Sequence, residues 1–288
     1  MKLITVTGIS IVMSFLMTAG TVAQQPRWVE QLGYHPDEVF PIRRYRGMPF
    51  IQIVIGDSTY WLLFDTGNMV GLQLATPTLD QLRLPEIGRW TSLGSDGRVI
   101  GSYRRVRAPV VHFLGNTLAD QTIFEFSDAA VGGLIGPGTL PGTRFTLDYR
   151  AGILAITNSP FRGIPNGFIS LPLTRSSRHP RLILTRGRIN GRSVLIEFDT
   201  GASRCNIDPV LAQELGLPTA DNGVRIDSLK IGPMAFSVPS ARVNPKAGID
   251  PTLSPPIQLA VGSDILGQLI MMVDYTRGQL LLFDARTP

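Results

Sequence analysis

Cysteine and histidine are scarce in this sequence. A single cysteine, Cys205, is present among 288 residues, which excludes an internal disulfide and any zinc site built on several thiolates. The 3 histidines, His35, His112 and His179, lie far apart, and no two have the i, i+4 spacing of a helical metal site. We therefore expect the protein to use no metal and no other cofactor.

Charged residues are also few, and their distribution excludes some classes of partner. They make up 17% of the chain, and the net charge of +5 comes from basic residues scattered along its length. A scattered excess of this size does not form the basic patch of a nucleic-acid-binding protein, so we expect no nucleic-acid partner. The hydrophobic content of 43% excludes a disordered chain.

Long apolar runs are absent after the first 23 residues. Those residues begin with Lys2, continue with a mostly apolar stretch over 9–17, and end in the small residues Thr21-Val22-Ala23, the pattern of a cleaved signal peptide. We expect a secreted or periplasmic protein that begins near Gln24, with no membrane span in the mature chain. The alternative is an uncleaved N-terminal anchor helix.

The rest of the sequence is an internal duplication. An apolar run ends in Phe64-Asp65-Thr66-Gly67 in the first half and in Phe198-Asp199-Thr200-Gly201 in the second. Downstream, Leu134-Ile135-Gly136 and Ala260-Val261-Gly262 each precede an Asp-Tyr pair, with 12 residues from Gly to Asp in both halves. A repeat of this kind predicts two similar lobes related by a pseudo-twofold axis.

The repeat defines the domain boundaries. We divide the chain into a signal peptide (1–23), an N-terminal lobe (24–158), a linker rich in glycine and proline (159–170) and a C-terminal lobe (171–288). The 30 glycines and 22 prolines are spread along the chain, which indicates short strands and frequent turns. One short helix is predicted in each lobe, over 77–84 and over 209–215.

The two aspartates are the candidate catalytic residues. If the lobes pack about a twofold axis, Asp65 and Asp199 meet at that axis, and two such carboxyl groups share one proton because both cannot ionise cheaply. The ionised carboxylate can then act as general base and the protonated one as general acid. Gly67 and Gly201 allow the backbone to turn tightly, and the hydroxyls of Thr66 and Thr200 can bond across the axis.

These motifs resemble those of the aspartic peptidase superfamily, which includes pepsin and the retropepsins. The sequence is similar to a bacterial-type, single-chain, two-lobed form, and the resemblance covers nearly the whole mature chain. It implies an all-β fold of two similar β-barrel lobes with the active-site cleft between them. It also implies an endopeptidase that uses Asp65 and Asp199, acts on peptide or protein substrates, and is a monomer in which the lobes form an internal pseudo-dimer.

The resemblance also implies flaps, hairpins that close over a bound peptide. Two segments with hairpin-turn residues lie about 30 and 22 residues after the two aspartates, at Gly94-Ser95-Asp96-Gly97 and at Asp221-Asn222-Gly223. We predict that both hairpins act as substrate-binding flaps. The alternative for each is an ordinary surface hairpin.

The sequence departs from the pepsin pattern directly after the Asp-Thr-Gly motifs. Asn68 and Ala202 occupy positions where pepsin-like lobes often have a serine that donates to a catalytic carboxylate. Loss of a donor disfavours ionisation, so the dyad is predicted to keep its proton to higher pH than a pepsin-like dyad.

Other interpretations of the same residues remain open at this point. The fold without the activity would be a catalytically inactive peptide-binding protein, and each lobe could pair with a copy of itself in a homodimer. Asp148 and Asp274 are interpreted as structural residues of turns, and Cys205 as a half-buried thiol without a catalytic role.

Overall fold

Hydrogen bonds between strands divide the chain into three sheets. The structure, a computed structural model, describes residues 26–127, 131–246 and 248–286. The predicted signal peptide lies outside these residues. Within them, no helix is long and apolar enough to cross a membrane.

The first half of the chain contains one barrel and part of a shared sheet. Its elements are α1 (Arg27–Leu32), β1 (Val39–Pro41), β2 (Arg43–Tyr45), β3 (Met48–Ile55), β4 (Ser58–Phe64), β5 (Leu72–Ala75), α2 (Thr76–Leu82), β6 (Glu86–Leu93), β7 (Val99–Phe113), β8 (Asn116–Phe126), β9 (Gly133–Ile135), β10 (Arg144–Asp148) and β11 (Ile153–Thr157). The sheet order β3-β4-β9-β5-β8-β7 closes on itself because β7 also pairs with β3.

The second half repeats this arrangement. Its elements are β12 (Ile169–Pro172), β13 (Leu184–Ile189), β14 (Arg192–Phe198), β15 (Asn206–Ile207), α3 (Pro209–Glu214), β16 (Thr219–Ala220), β17 (Gly223–Ile231), β18 (Met234–Val243), β19 (Leu259–Val261), α4 (Ser263–Leu266), β20 (Leu269–Asp274) and β21 (Gln279–Asp284). The order β13-β14-β19-β15-β18-β17 closes through β17 and β13. The predicted pair of β-barrel lobes is thus confirmed.

A third sheet joins the two lobes. Its order is β1-β11-β10-β20-β21-β12, with β10 of the first lobe antiparallel to β20 of the second. Thr146 faces Met272 at the centre of this pairing, and Arg144 and Asp148 face Asp274 and Ile270 at its ends. Because the two strands are equivalent in the repeat, the pseudo-twofold axis passes through the middle of this pair.

Both faces of β14, the strand that ends just before Asp199, are covered by other residues. Val194, Ile196 and Phe198 belong to the main core, whereas Leu195 packs on the opposite face against Leu182 and Ile257. Successive residues of a strand point to opposite faces, so both faces of β14 are covered. A strand buried in this way holds its last residue in a well-defined position.

The helices are few and short. The predicted helices correspond to α2 and α3; α3 begins after Asp208, whose side chain accepts a hydrogen bond from the Val210 amide, as an N-cap residue does. Two further helices, α1 and α4, were not predicted. Trp28 and Leu32 of α1 pack against the sheet that joins the lobes.

Candidate active site

Strands β4 and β14 end in the two Asp-Thr-Gly turns. The Asp65 amide donates to the Ile135 carbonyl and the Asp199 amide to the Val261 carbonyl, both at 3.0 Å. These carbonyls belong to β9 and β19, which run parallel to β4 and β14. Each turn is therefore supported by the apolar strand of the Leu-Ile-Gly or Ala-Val-Gly element, and the structure brings both repeated motifs together.

The two turns approach each other closely at their central glycines. A Cβ atom added to Gly201 would lie 2.3 Å from the Asp65 carboxyl carbon, and one added to Gly67 would lie 3.0 Å from that of Asp199. A real Cβ atom cannot approach as closely as the first distance without displacing its neighbour. Because each glycine lacks a side chain, it leaves space at the lobe interface for the carboxyl group of the other lobe.

The threonines of the two turns exchange hydrogen bonds across the lobe interface. The Thr66 amide donates to Thr200 Oγ1 and the Thr200 amide to Thr66 Oγ1, both at 3.0 Å. Each hydroxyl in turn donates to a backbone carbonyl of the other lobe, Thr66 Oγ1 to Phe198 at 2.6 Å and Thr200 Oγ1 to Phe64 at 2.5 Å. Both threonines are fully buried, so these four bonds lock the turns in a symmetric arrangement.

The carboxyl groups have matching partners and a shared electrostatic environment. The Gly67 amide donates to Asp65 Oδ1 and the Gly201 amide to Asp199 Oδ1, both at 2.9 Å. Burial, followed by the neighbouring charge of Asp199, raises the pKa of Asp65 well above its usual range. The pair therefore keeps a proton at a pH where an isolated aspartate has lost it, as two like charges in one low-dielectric site require.

Asn68 does not replace the missing serine as a donor to the dyad. Its Nδ2 donates to the Gly71 carbonyl at 2.7 Å, and its Oδ1 accepts from the Val70 amide at 2.9 Å. Both polar ends of the side chain are used within its own loop. Asn68 therefore shapes the backbone after the first turn.

A buried ion pair lies beside the dyad, and the sequence analysis did not predict it. Glu197, two residues before Asp199, has its Oε2 atom 3.6 Å from Lys246 Nζ, and the two side chains are 2% and 8% exposed. Burial and the charge of Asp199 raise the pKa of Glu197 to about 7, although Lys246 opposes the shift. The available signal was the charged residue that interrupts the apolar run Val194-Leu195-Ile196-Glu197-Phe198.

The hairpin of β6 and β7 carries the first predicted flap. Its turn, Gly94-Ser95-Asp96-Gly97, is closed by a bond from the Gly94 amide to the Arg98 carbonyl. The Ser95 carbonyl accepts a hydrogen bond from the Gly248 amide of the second lobe at 3.1 Å. The tip of this hairpin, hereafter the flap tip, therefore rests on the second lobe.

The second predicted flap, Asp221-Asn222-Gly223, is much smaller. Its strands β16 and β17 are 2 and 9 residues long, against 8 and 15 for β6 and β7. The Asp221 carbonyl accepts a bond from Ser240 Oγ, and a Cβ atom on Gly223 would overlap the Ala241 carbonyl oxygen. The two predicted flaps therefore differ in size, and the second turn is bound down to its own lobe.

The remaining candidate residues have structural partners. Asp148 Oδ2 accepts from Trp28 Nε1 at 2.9 Å, and Asp274 accepts from Arg144 Nε at 2.8 Å. Cys205 is buried, and its thiol donates to Asp264 Oδ1. Across the residues that the structure describes, no three His, Cys, Asp or Glu side chains are grouped so that they could hold a metal ion.

Comparisons with known proteins found a family match for the second lobe and a fold match for both lobes. A family model described as aspartyl protease matches residues 185–265, which span the second barrel. Among solved structures, the aspartic proteinase from Irpex lacteus matches with a TM-score of 0.58 and 15% identity, over 85% of this chain and 96% of that chain. No curated protein matches the sequence. The second lobe therefore matches the aspartyl protease family, and the chain shares the fold of an aspartic proteinase.

Proposed function

We propose that the protein is an exported aspartic endopeptidase and that Asp65 and Asp199 are its catalytic residues. The family match and the fold support a peptidase function in general. The observation that carries the specific assignment is the crossed contact of the two turns, in which each glycine faces the other lobe's carboxyl group. The sequence pattern of residues 1–23, which is typical of a signal peptide, supports export.

In the proposed reaction the two carboxyl groups share the work of acid and base. The ionised carboxylate takes a proton from a water molecule as the water oxygen attacks the peptide carbonyl carbon, while the protonated carboxyl donates to the carbonyl oxygen. The resulting diol collapses when the leaving nitrogen receives a proton from one carboxyl group and a diol hydroxyl returns a proton to the other. Both carboxyl groups thereby return to their initial protonation states, and the substrate forms no covalent bond to the enzyme.

The long hairpin of the first lobe suits the role of a lid over the substrate. Leu93, Val99 and Ile100 adjoin the flap tip and are 58%, 68% and 60% exposed. Exposed apolar side chains beside a glycine-containing turn offer a surface that an extended peptide can cover. We propose that the peptide passes between the flap tip and the dyad and pairs with the hairpin as an added strand.

The test is cleavage of a diverse peptide mixture across pH by the chain from residue 24 onward. Asp65→Asn and Asp199→Asn should each lower kcat by about 1,000-fold or more, because each removes one half of the acid and base pair. Asp57→Asn, at an exposed turn position, is the matched control and should be unaffected. Circular dichroism establishes that all variants fold.

Each outcome of this test is informative. Activity that survives in either dyad variant contradicts the shared mechanism, and a folded wild type that binds peptides but cuts none indicates a binding protein. Because the pKa of Asp65 is raised, activity should extend to mildly acidic pH and fall as the pair loses its proton. A profile confined to strongly acidic pH contradicts this. Mass spectrometry of the protein recovered from the producing cells tests removal of residues 1–23.

A further inference from the structure

A small cavity between the lobes opens beside the first catalytic turn. Its volume is about 100 Å³, and it is lined by Asn68, Met69 and Pro137 of the first lobe and by Arg178, His179 and Arg181 of the second. Asn68 and Met69 directly follow Gly67, and Met69 is 42% exposed. The cavity therefore lies directly beside the turn that follows Asp65.

The far wall of the cavity is connected to the place where the flap tip rests. Ser176 Oγ donates to Asp250 Oδ2 at 2.5 Å, and the His179 amide donates to Ser176 Oγ at 2.8 Å. Asp250 lies two residues after Gly248, whose amide binds the flap tip. The wall of the cavity and the resting place of the flap tip are thus linked through one segment of the second lobe.

The cavity has positive charge without a matching carboxylate. Among the residues that the structure describes, neither Arg178 nor Arg181 forms an ion pair, and no Asp or Glu lines the cavity. Asp250, which interacts electrostatically with His179, already accepts bonds from Ser176 and Thr252. The two guanidinium groups are therefore available to an anion from outside the chain.

Arg181 is held in place for such a role. Its guanidinium carbon lies 4.6 Å from the centre of the Tyr275 ring, and its Nη1 atom is buried without a hydrogen-bond partner among the described residues. Tyr275 in turn donates its hydroxyl to the Arg181 carbonyl at 2.8 Å. Stacking fixes the planar group, and an unpaired buried donor gains most from a charged acceptor.

We infer that this cavity, the arginine pocket, is a substrate subsite that binds a carboxylate group of the peptide. The inference rests on the proposed peptidase function and extends it to a substrate class, peptides with an acidic residue near the scissile bond. The carboxylate comes from an Asp or Glu side chain or from the peptide's C-terminus, and both present the same planar pair of oxygens to Arg178 and Arg181. Arg178 is exposed and so contributes a charge that can approach the ligand.

The experiment measures kcat/KM for peptide pairs that differ only by Glu or Gln at each position around the cut. One set of peptides is amidated and a parallel set has free C-termini, which separates the two sources of carboxylate. The wild type should favour the carboxylate about 10-fold or more at one position, as a charge-assisted bond provides. Arg178→Gln with Arg181→Gln should reduce this preference to about 2-fold or less.

Two further variants keep the inference testable if loss of the Tyr275 contact destabilises the double variant. Arg178→Glu alone should reverse the preference, so that Lys is favoured over Glu at that position. Arg186→Gln removes the same charge from an exposed site on β13 and should leave the preference unchanged. A wild type that cuts peptides with equal kcat/KM for Glu and Gln at every position overturns the arginine pocket while the peptidase proposal stands.

Failure of the peptidase proposal is recognised separately. If the folded wild type cuts no peptide, calorimetry with the same Glu and Gln peptides tests the pocket by affinity alone. Tighter binding of the Glu peptide that is lost in Arg178→Gln supports the arginine pocket. Equal affinity for both peptides overturns it.

Discussion

At position 197 the second lobe has a glutamate where the first lobe has Leu63. Leu63 packs with Met48 and Phe50, whereas Glu197 faces Lys246 at 3.6 Å with one oxygen lacking a hydrogen bond. Burial of an ion pair usually costs stability compared with an apolar pair. Its place beside Asp199 therefore gives the otherwise symmetric dyad an asymmetric electrostatic setting.

We predict that Lys246→Met destabilises the protein at alkaline pH more than at acidic pH. In the folded protein the pKa of Glu197 is raised to about 7 from its usual 4.5, so ionisation of this carboxyl group opposes folding. The free energy of unfolding therefore falls as the pH rises between these two pKa values. Without Lys246 the ionised Glu197 has no charged partner. The free energy of unfolding should therefore fall by about 1–3 kcal/mol at pH ~8, where Glu197 is ionised, and change little at pH ~5, where it is protonated. Urea unfolding at the two pH values measures the difference.

The control for this prediction replaces both members of the pair. Glu197→Leu with Lys246→Met gives the second lobe the residue that the first lobe has at Leu63. This double variant should be at least as stable as the wild type at pH ~8. A single variant that loses the same stability at both pH values would show that packing of the lysine stem, and not its charge, is responsible.

At the level of elements, the long hairpin and the segment that contains Gly248 form the contact across the cleft. A Cβ atom on Gly248 would lie 2.1 Å from the Gly97 amide nitrogen. The flap tip cannot rest on the second lobe if that space is filled. The contact joins two turns that lie outside the strands of the barrels, so we expect the barrels to fold without it.

We therefore predict that Gly248→Ala frees the flap tip without unfolding the protein. Amides of residues 94–98 should exchange with deuterium faster, and KM for peptides should rise about 3-fold or more because the lid is no longer held in place. Thermal unfolding should change little. Gly163→Ala, at a linker glycine with open space around it, is the matched control, and unchanged exchange in Gly248→Ala contradicts the contact.

At the level of the whole molecule, the sheet that joins the lobes has a buried ion pair at one end of the pairing of β10 with β20. Arg144 Nε donates to Asp274 Oδ2 at 2.8 Å, Nη1 donates to the Asn158 carbonyl at 2.8 Å, and Nη2 bonds the Thr276 hydroxyl. Burial tends to raise the pKa of Asp274, but hydrogen bonds from Thr276 and Arg144 lower it overall. Arg144 thus links β10 of the first lobe to the β20 turn of the second.

We predict that Arg144→Met lowers the free energy of unfolding by about 3 kcal/mol, because a carboxylate that is 1% exposed loses its nearest charged partner and keeps only Arg277, whose Nε lies 4.0 Å away. Equilibrium unfolding in urea at neutral pH measures the loss. Arg192→Met breaks a pair with Glu214 in which both side chains are nearly half exposed and should cost less than about 1 kcal/mol. Equal effects of the two substitutions contradict a special role for the lobe interface.

The two Asp-Thr-Gly motifs, the duplicated unit and the mostly β fold could be predicted because local patterns carry them. Apolar strands that end at Asp65 and Asp199 have the same neighbours in sequence in both halves, and equivalent segments of a repeat adopt equivalent positions. The reciprocal bonds of Thr66 and Thr200 follow from that symmetry. The roles of these residues in catalysis stay predictions until the dyad variants are measured.

The features that distinguish the halves depend on contacts between residues distant in sequence, and only the tertiary structure decided them. Glu197 meets Lys246 about 50 residues later, the flap tip meets Gly248 about 150 residues later, and Arg178 faces Asn68 about 110 residues earlier. Such contacts depend on loop paths and burial, which follow from packing in three dimensions and leave no periodic signal in the chain. Local pattern therefore determines the symmetric centre of this protein, and long-range packing determines its asymmetric surroundings.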